Sequence, residues 1–216
     1  MTVFPLVISW FLTFGYVPQM ADFVESKTAE IDSSRIATVA QIGLSASTDD
    51  EMFTIYPEPA KPPKPPEYIA TILRNAEIEN DLPIGLAVCV AWYESSYKPT
   101  ALSRNVGGYR SRGLMQIYHK YQNEIVRKYT NIPPKLFDWK NPQHSAQAGC
   151  GYLAYLIDQF DGDLYLAVLA YNWGEGNVSG LIAGRLDWDD IPKHCANYAK
   201  NVLWMLNNME QEQLWD

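Results

Sequence analysis

The sequence predicts a mainly α-helical domain that begins near residue 67 and follows a largely unstructured N-terminal segment. Beyond residue 67, apolar residues recur every three or four positions, which is the period of a helix with one buried face. No run of alternating apolar and polar residues indicates a strand. Before residue 67 the chain is rich in Ser, Thr, acids and Pro and has no sustained period.

The first 66 residues divide into an apolar segment and a linker. Residues 3–17 form a largely apolar run that ends before Pro18. This run is short for a membrane span of about 20 residues and suits the core of a secretory signal. We therefore expect residues 1–21 to be a signal peptide or, alternatively, a short membrane anchor, and the protein to be exported to the periplasm or cell envelope. Residues 22–66 end in six closely spaced prolines, which predict a disordered, Pro-rich linker.

The remaining residues, 67–216, predict one helical domain. The helix of residues 83–94 begins with Pro83 at its first position, where the missing N–H is tolerated. A second helix is predicted from Tyr118 to residue 129. Further helices are expected over residues 68–80, 164–171 and 194–208. A helix over residues 143–160 has a buried stripe consisting of Ala146, Cys150, Leu153, Leu156 and Phe160.

The helix of residues 83–94 has an acid after an uncharged stretch. Residues 83–93 carry no charge, which is typical of a helix buried on nearly every side. Glu94 follows at or near the C-terminal end, where the helix dipole and apolar surroundings both disfavour a carboxylate and raise its pKa. A carboxyl that stays protonated near neutral pH can act as a general acid. The alternative is an ordinary helix-end residue that points into water.

Composition excludes several classes of function. The net charge of −8 is divided about equally between residues 1–66 and 67–216, whereas a nucleic-acid-binding protein would show a basic face. There is no Gly-rich phosphate loop after a strand, and the three histidines lack the spacing of metal ligands. We therefore expect no cofactor and no metal. Cys150 and Cys195 could pair in an exported domain, although free thiols are the simpler interpretation.

Four short stretches occur in order over residues 67–208. They are Glu94-Ser95-x-Tyr97-x-Pro99-x-Ala101-x-Ser103, Gly113-Leu114-Met115-Gln116-Ile117, Ala170-Tyr171-Asn172-x-Gly174 and Asn197-Tyr198. Together these stretches resemble the soluble lytic transglycosylase domain. The resemblance implies a lysozyme-like fold for residues 67–216.

The resemblance also implies an activity. The substrate would be peptidoglycan, cut between N-acetylmuramic acid and N-acetylglucosamine. Glu94 would act as acid and then as base, so that the muramyl 6-hydroxyl closes a 1,6-anhydro ring and no water is consumed. Two alternatives stay open, namely a lysozyme-type hydrolase of the same bond and a wall-binding or assembly module without turnover. No second acid lies near Glu94 in sequence, although a distant one such as Asp161 or Asp163 is compatible with the pattern.

The resemblance implies roles for five further residues. Ser103 would contact the catalytic carboxyl or the reacting sugar. Gln116 would line the cleft and donate a hydrogen bond to an N-acetyl or hydroxyl group. Tyr171 and Asn172 would line the cleft, and the Tyr198 hydroxyl would bond to the catalytic acid.

Overall fold

Residues 63–212 are described by a computed structural model, and the expected signal or anchor (1–21) and most of the expected linker lie outside these residues. The described part is mainly α-helical, which confirms the predicted fold class. Its helices are α1 (Glu67–Glu79), α2 (Leu86–Ser95), α3 (Gln122–Tyr129), α4 (Pro142–Gln159), α5 (Leu164–Trp173), α6 (Glu175–Ile182) and α7 (Lys193–Glu212). Two short strands, β1 (Ser111–Arg112) and β2 (Ile117–Tyr118), and two single 3₁₀ turns, Pro134–Leu136 and Trp188–Asp190, complete the described elements.

Helix α2 lies at the centre of the domain, as its uncharged sequence predicts. Every side chain from Leu86 to Ala91 is completely buried. Helices α1, α4 and α7 pack around it, and α7 also packs against α5, whose residues Ala167–Ala170 are equally buried. The two most apolar helices therefore share one core, and the C-terminal ends of both contribute to the same cavity.

The start of α2 differs from the prediction and is set by a residue on another helix. The helix begins at Leu86, and Pro83 lies outside it. The chain enters through Gly85, whose φ of 96° is in the left-handed region that glycine adopts without strain. The buried Glu77 carboxylate accepts hydrogen bonds from the backbone N–H groups of Gly85 (3.0 Å) and Ala87 (2.6 Å). Glu77 on α1 thus caps the start of α2. The backbone N–H groups at the start of a helix have no partner within the helix, and the Glu77 carboxylate accepts from two of them.

The predicted helix of residues 118–129 is shorter than expected. Helix α3 begins at Gln122, and Tyr118 belongs to β2, which pairs antiparallel with β1. The reversal between the strands places Gly113 and Gln116 at positive φ values of 81° and 49°. Strands of two residues are too short to produce an alternating pattern, so this hairpin could not be predicted from the sequence.

Helix α4 follows its predicted stripe. All five residues of that stripe are buried. The helix begins with Pro142 at its first position and with the Asn141 side chain accepting a 2.9 Å hydrogen bond from the Gln143 backbone N–H. Gly149 lets the hairpin approach closely, since a Cβ at this position would lie 2.6 Å from Cβ of Met115. Met115 is accordingly a core residue.

The three cysteines, Cys89, Cys150 and Cys195, are buried free thiols, so Cys150 and Cys195 do not pair. Among residues 63–212, no helix has the length and apolar content needed to cross a membrane.

Candidate active site

Glu94 occupies the last turn of α2, at the wall of a cavity of about 660 Å³. The helix ends there because Ser96 and Tyr97 adopt left-handed φ values of 51° and 61°. The Glu94 side chain is partly buried and lines the cavity. The acid therefore stands at the end of a buried helix, as the sequence predicts, and this end meets an open groove.

Tyr198 on α7 fixes the orientation of this carboxyl. Its hydroxyl donates a 2.7 Å hydrogen bond to Oε1 of Glu94, and its ring packs edge-on against Tyr93, with centroids 6.1 Å apart. The packing of α2 against α7 brings together residues that are 104 positions apart in sequence. Oε2 of Glu94 is left without a protein partner among the described residues and is available to a ligand.

Burial raises the pKa of Glu94 to about 7, and the hydrogen bond from Tyr198 opposes this effect. Both protonation states are therefore populated near neutral pH, which suits a group that must donate a proton and take one back. Two other carboxylates, Glu124 and Glu175, line the cavity, but their charges do not contribute to the raised pKa of Glu94.

Gln116 lines the same cavity, with its amide group fixed by the backbone. Its Nε2 donates to the carbonyl oxygens of Ala101 (3.1 Å) and Gly113 (2.8 Å), which uses both amide hydrogens. The amide must have this orientation because both neighbours are acceptors. In this structure Gln116 therefore offers a ligand only Oε1, and a hydrogen bond donated by Gln116 to a substrate stays a prediction.

Tyr171 and Asn172 lie in the last turn of helix α5 and line the cavity wall. The Tyr171 hydroxyl donates a 2.8 Å hydrogen bond to the carbonyl oxygen of Met115, so this phenol ties α5 to the hairpin that carries Gln116. Asn172 is exposed at the cavity, where its amide can reach a ligand. The structure thus brings together Glu94, Gln116, Tyr171, Asn172 and Tyr198.

Ser103 lies apart from this group. Its Oγ accepts a 2.8 Å hydrogen bond from the backbone N–H of Ser111 and donates to the carbonyl oxygen of Arg104. Ser111, not Ser103, belongs to the cavity lining. In this structure Ser103 supports the hairpin, and a contact between Ser103 and a substrate stays a prediction.

Sequence reasoning missed a large aromatic and charged part of the cavity. Each carboxylate there has a partner: Glu124 pairs with Lys128 at 2.6 Å, and Glu175 accepts a 2.7 Å hydrogen bond from Tyr155. The distant acids Asp161 and Asp163 are not in the lining. One feature of the sequence could have indicated part of this lining. The 3.6-residue period of α4 places its tyrosines on a different face from the buried stripe of that helix. The missed residues include Tyr118, Tyr121, Tyr129, Tyr152, Tyr155, Trp173, Glu124, Lys128 and Glu175.

No group of three or more His, Cys, Asp or Glu side chains among residues 63–212 is arranged to hold a metal ion.

Comparison with known proteins identifies the family. Residues 71–187 match the transglycosylase SLT domain. The chain is 33% identical over 135 residues to the peptidoglycan transglycosylase gp16 of Escherichia phage T7, covering 61% of this chain and 10% of that protein. It is 32% identical over 135 residues to the soluble lytic murein transglycosylase of Escherichia coli K12, covering 57% of this chain and 20% of that protein. The chain thus spans a tenth to a fifth of the length of these relatives.

The fold is also that of a solved lytic transglycosylase. An inactive mutant of Slt from Pseudomonas aeruginosa superimposes with a TM-score of 0.56 at 24% identity, over 66% of this chain and 24% of that one. At this identity the likeness concerns the fold alone. With more than half of the sequence matched by the family model, the chain belongs to the transglycosylase SLT domain family.

Proposed function

We propose that this protein cleaves the β-1,4 bond between N-acetylmuramic acid and N-acetylglucosamine in peptidoglycan, without water, through Glu94. The observation that carries the proposal is a single carboxyl that is held at a cavity wall by Tyr198 and has its pKa raised to about 7 by burial. The names of the phage and bacterial relatives support peptidoglycan as the substrate. Residues 67–216 would be the catalytic domain.

The proposed reaction uses the same carboxyl twice. Protonated Glu94 gives its proton to the glycosidic oxygen as the bond to the anomeric carbon of the muramyl residue breaks. The muramyl 6-hydroxyl then attacks that carbon, and its proton passes to the Glu94 carboxylate. The products are a free 4-hydroxyl on the glucosaminyl side and a 1,6-anhydromuramyl end, and the acid is restored. No second carboxyl is required as nucleophile or base.

The neighbouring groups position the substrate in this proposal. Oε1 of Gln116 accepts a hydrogen bond from a sugar hydroxyl or an N-acetyl N–H, because its two amide hydrogens are already used. Asn172 supplies a further polar contact, and Tyr171 holds the loop that bears Gln116. Since peptidoglycan lies outside the cytoplasmic membrane, the proposal includes export through residues 1–21.

The experiment is a digest of purified sacculi with the full-length protein, followed by mass spectrometry of the soluble fragments. We expect muropeptides that end in 1,6-anhydromuramic acid and are one water lighter than hydrolytic products. Reducing muramic acid ends as the main product would instead support a lysozyme-type hydrolase, which the presence of Glu124 and Glu175 in the cavity favours as the second candidate. Binding to sacculi without any soluble product would contradict both and indicate a wall-binding module.

Tyr198→Phe is expected to change the pH dependence of cleavage. The substitution removes the hydrogen bond that lowers the pKa of Glu94, so this pKa should rise above about 7. The alkaline limb of the pH–rate profile should then move to higher pH. The maximal rate should fall roughly tenfold to a hundredfold, because a hydrogen bond that orients the carboxyl, of about 1.5–3 kcal/mol, is lost.

The matched control is Tyr93→Phe, which keeps the ring that packs against Tyr198 and leaves the Tyr198 hydroxyl in place. It should retain the wild-type profile. If the alkaline limb of the pH–rate profile of Tyr198→Phe stays in place or moves to lower pH, Tyr198 does not control the protonation of Glu94.

A further inference from the structure

A second group of side chains in the cavity takes no part in the chemistry assigned to Glu94. Glu175, the first residue of α6, is partly buried, and Oε1 accepts the 2.7 Å hydrogen bond from the Tyr155 hydroxyl. Oε2 has no hydrogen-bonding partner within residues 63–212. The carboxylate is therefore held in place with one oxygen available to a ligand.

Three tyrosine rings cluster beside this carboxylate, and all three line the cavity. The ring centroids of Tyr129 and Tyr155 are 5.0 Å apart, those of Tyr152 and Tyr155 6.2 Å, and those of Tyr129 and Tyr152 5.9 Å. All three side chains are partly buried. The cluster joins the active site through Tyr171, whose centroid is 5.7 Å from that of Tyr152.

Burial and the negative charge of Glu175 both raise the pKa of all three phenols, and the charge of Lys128 opposes this at Tyr129. The hydrogen bond with Glu175 is the main reason why the pKa of Tyr155 is raised, with burial adding to the effect. Burial raises the pKa of Tyr152 to about 12, and the Glu175 charge contributes next. The phenols therefore stay neutral at physiological pH, and the group as a whole carries the negative charge of one carboxylate.

Among residues 63–212, this negative charge has no cation paired with it in a salt bridge. Lys128 is the one cation among the described lining residues, and it lies 2.6 Å from Glu124. No Lys, Arg or His of the part of the chain described here forms a salt bridge with Glu175. A ligand cation would therefore find an uncompensated carboxylate next to aromatic rings.

We propose that Glu175, Tyr129, Tyr152 and Tyr155 form a subsite for an ammonium group of the substrate. Proteins bind ammonium groups with aromatic rings, whose negative faces attract a cation, and the partly dry setting strengthens its attraction to the carboxylate. The inference rests on the proposed function, because it requires the ammonium group to belong to peptidoglycan. Two sources share this chemistry: the amine of a diamino acid in the stem peptide, and a glucosamine that lacks its N-acetyl group.

The first test measures binding without turnover, so that it is independent of whether the protein cleaves peptidoglycan. Calorimetry at pH 6 compares tetramers of glucosamine with tetramers of N-acetylglucosamine on full-length Glu94→Gln. We expect the ammonium-bearing tetramer to bind about fivefold to tenfold more tightly. Adding Glu175→Gln should bring this ratio to about one, and adding Tyr155→Phe, which keeps the ring, should reduce it.

Glu79→Gln is the matched control, because it removes one negative charge from an exposed residue of α1 outside the cavity. Added to Glu94→Gln, it should leave the ratio unchanged. Equal binding of the two tetramers would overturn the proposal, as would a preference that survives Glu175→Gln in a variant with wild-type thermal stability.

The second test identifies the source of the ammonium group by using the active wild-type protein. One arm compares sacculi with free stem-peptide amines against sacculi whose amines have been acetylated. The other arm compares peptide-free glycan strands before and after partial de-N-acetylation. A several-fold preference for the free amine in the first arm assigns the subsite to the peptide, and one in the second arm assigns it to the sugar. Equal cleavage of the free-amine and acetylated substrates in both arms would contradict the subsite. Absence of cleavage in all arms would instead contradict the proposed function, and the binding ratio of the first test would then decide the subsite.

Discussion

Glu94→Gln is expected to lower the rate of peptidoglycan cleavage by roughly 10³-fold or more, because the amide can neither donate the proton to the leaving oxygen nor accept one from the 6-hydroxyl. The fold should persist, since glutamine has nearly the same shape and its Oε1 can still accept the hydrogen bond from Tyr198. The measurement is the release of soluble muropeptides from sacculi. Glu79→Gln, which changes the net charge equally, should retain the wild-type rate. A Glu94→Gln protein that keeps more than a tenth of the wild-type rate would exclude Glu94 as the acid.

The same variant should become more stable than the wild type as the pH rises. The pKa of Glu94 in the folded protein, about 7, exceeds the ordinary 4.5, so folding favours the protonated form. The difference between wild type and variant should be small below pH 4.5, should grow between pH 4.5 and about 7, and should be constant above that, where the folded wild type buries a charge. A change in pKa of this size corresponds to up to about 3 kcal/mol. Urea unfolding of both proteins at pH 5 and pH 8 measures this difference in the free energy of unfolding. If the difference between wild type and variant is equal at the two pH values, the carboxyl is not desolvated.

Glu77→Ala should destabilise the domain by about 3 kcal/mol. The carboxylate has no exposed surface and accepts hydrogen bonds from the N–H groups of Gly85 and Ala87. Its removal leaves these buried donors without partners, each costing about 1–3 kcal/mol, and opens a cavity beneath the first turn of α2. This loss is a large fraction of the total stability of a typical domain.

The effect of Glu77→Ala should reach the active site, because Glu94 stands at the other end of the same ten-residue helix. We expect chemical unfolding to show the loss of stability together with a lower cleavage rate at 37 °C. Glu79→Gln, at an exposed position two residues after Glu77 in α1, should change the free energy of unfolding by no more than about 0.5 kcal/mol. A Glu77→Ala protein as stable as that control would mean that α2 needs no cap from α1.

The helices could be predicted where local pattern and packing agree. The stripe of α4 and the uncharged run of α2 indicate burial because a helix that contacts the core on one or all faces must be apolar there. The start of α2 could not be predicted in this way. Its cap comes from Glu77, a residue on another helix, and the local sequence places Pro83 where a first helical residue would be.

The site shows the same limit. The position of Glu94 at the end of a buried helix follows from the sequence, but its bond to Tyr198 depends on the packing of α2 against α7 and was expected only from the family resemblance. The direction of the Gln116 amide depends on two backbone carbonyls that a sequence does not place. Glu175 and Tyr155 come together across α6 and α4, and no spacing in the chain indicates that contact.

The most direct test of the account is the titration of the Glu94 carboxyl by carbon-13 NMR in the full-length protein, with Glu94→Gln used for assignment. We predict one glutamate carboxyl resonance that titrates with a pKa of about 7, is missing from Glu94→Gln, and moves to higher pH in Tyr198→Phe. A Glu94 resonance that titrates near 4.5, the ordinary value for glutamate, would contradict the claim that this side chain is a protonated acid at neutral pH.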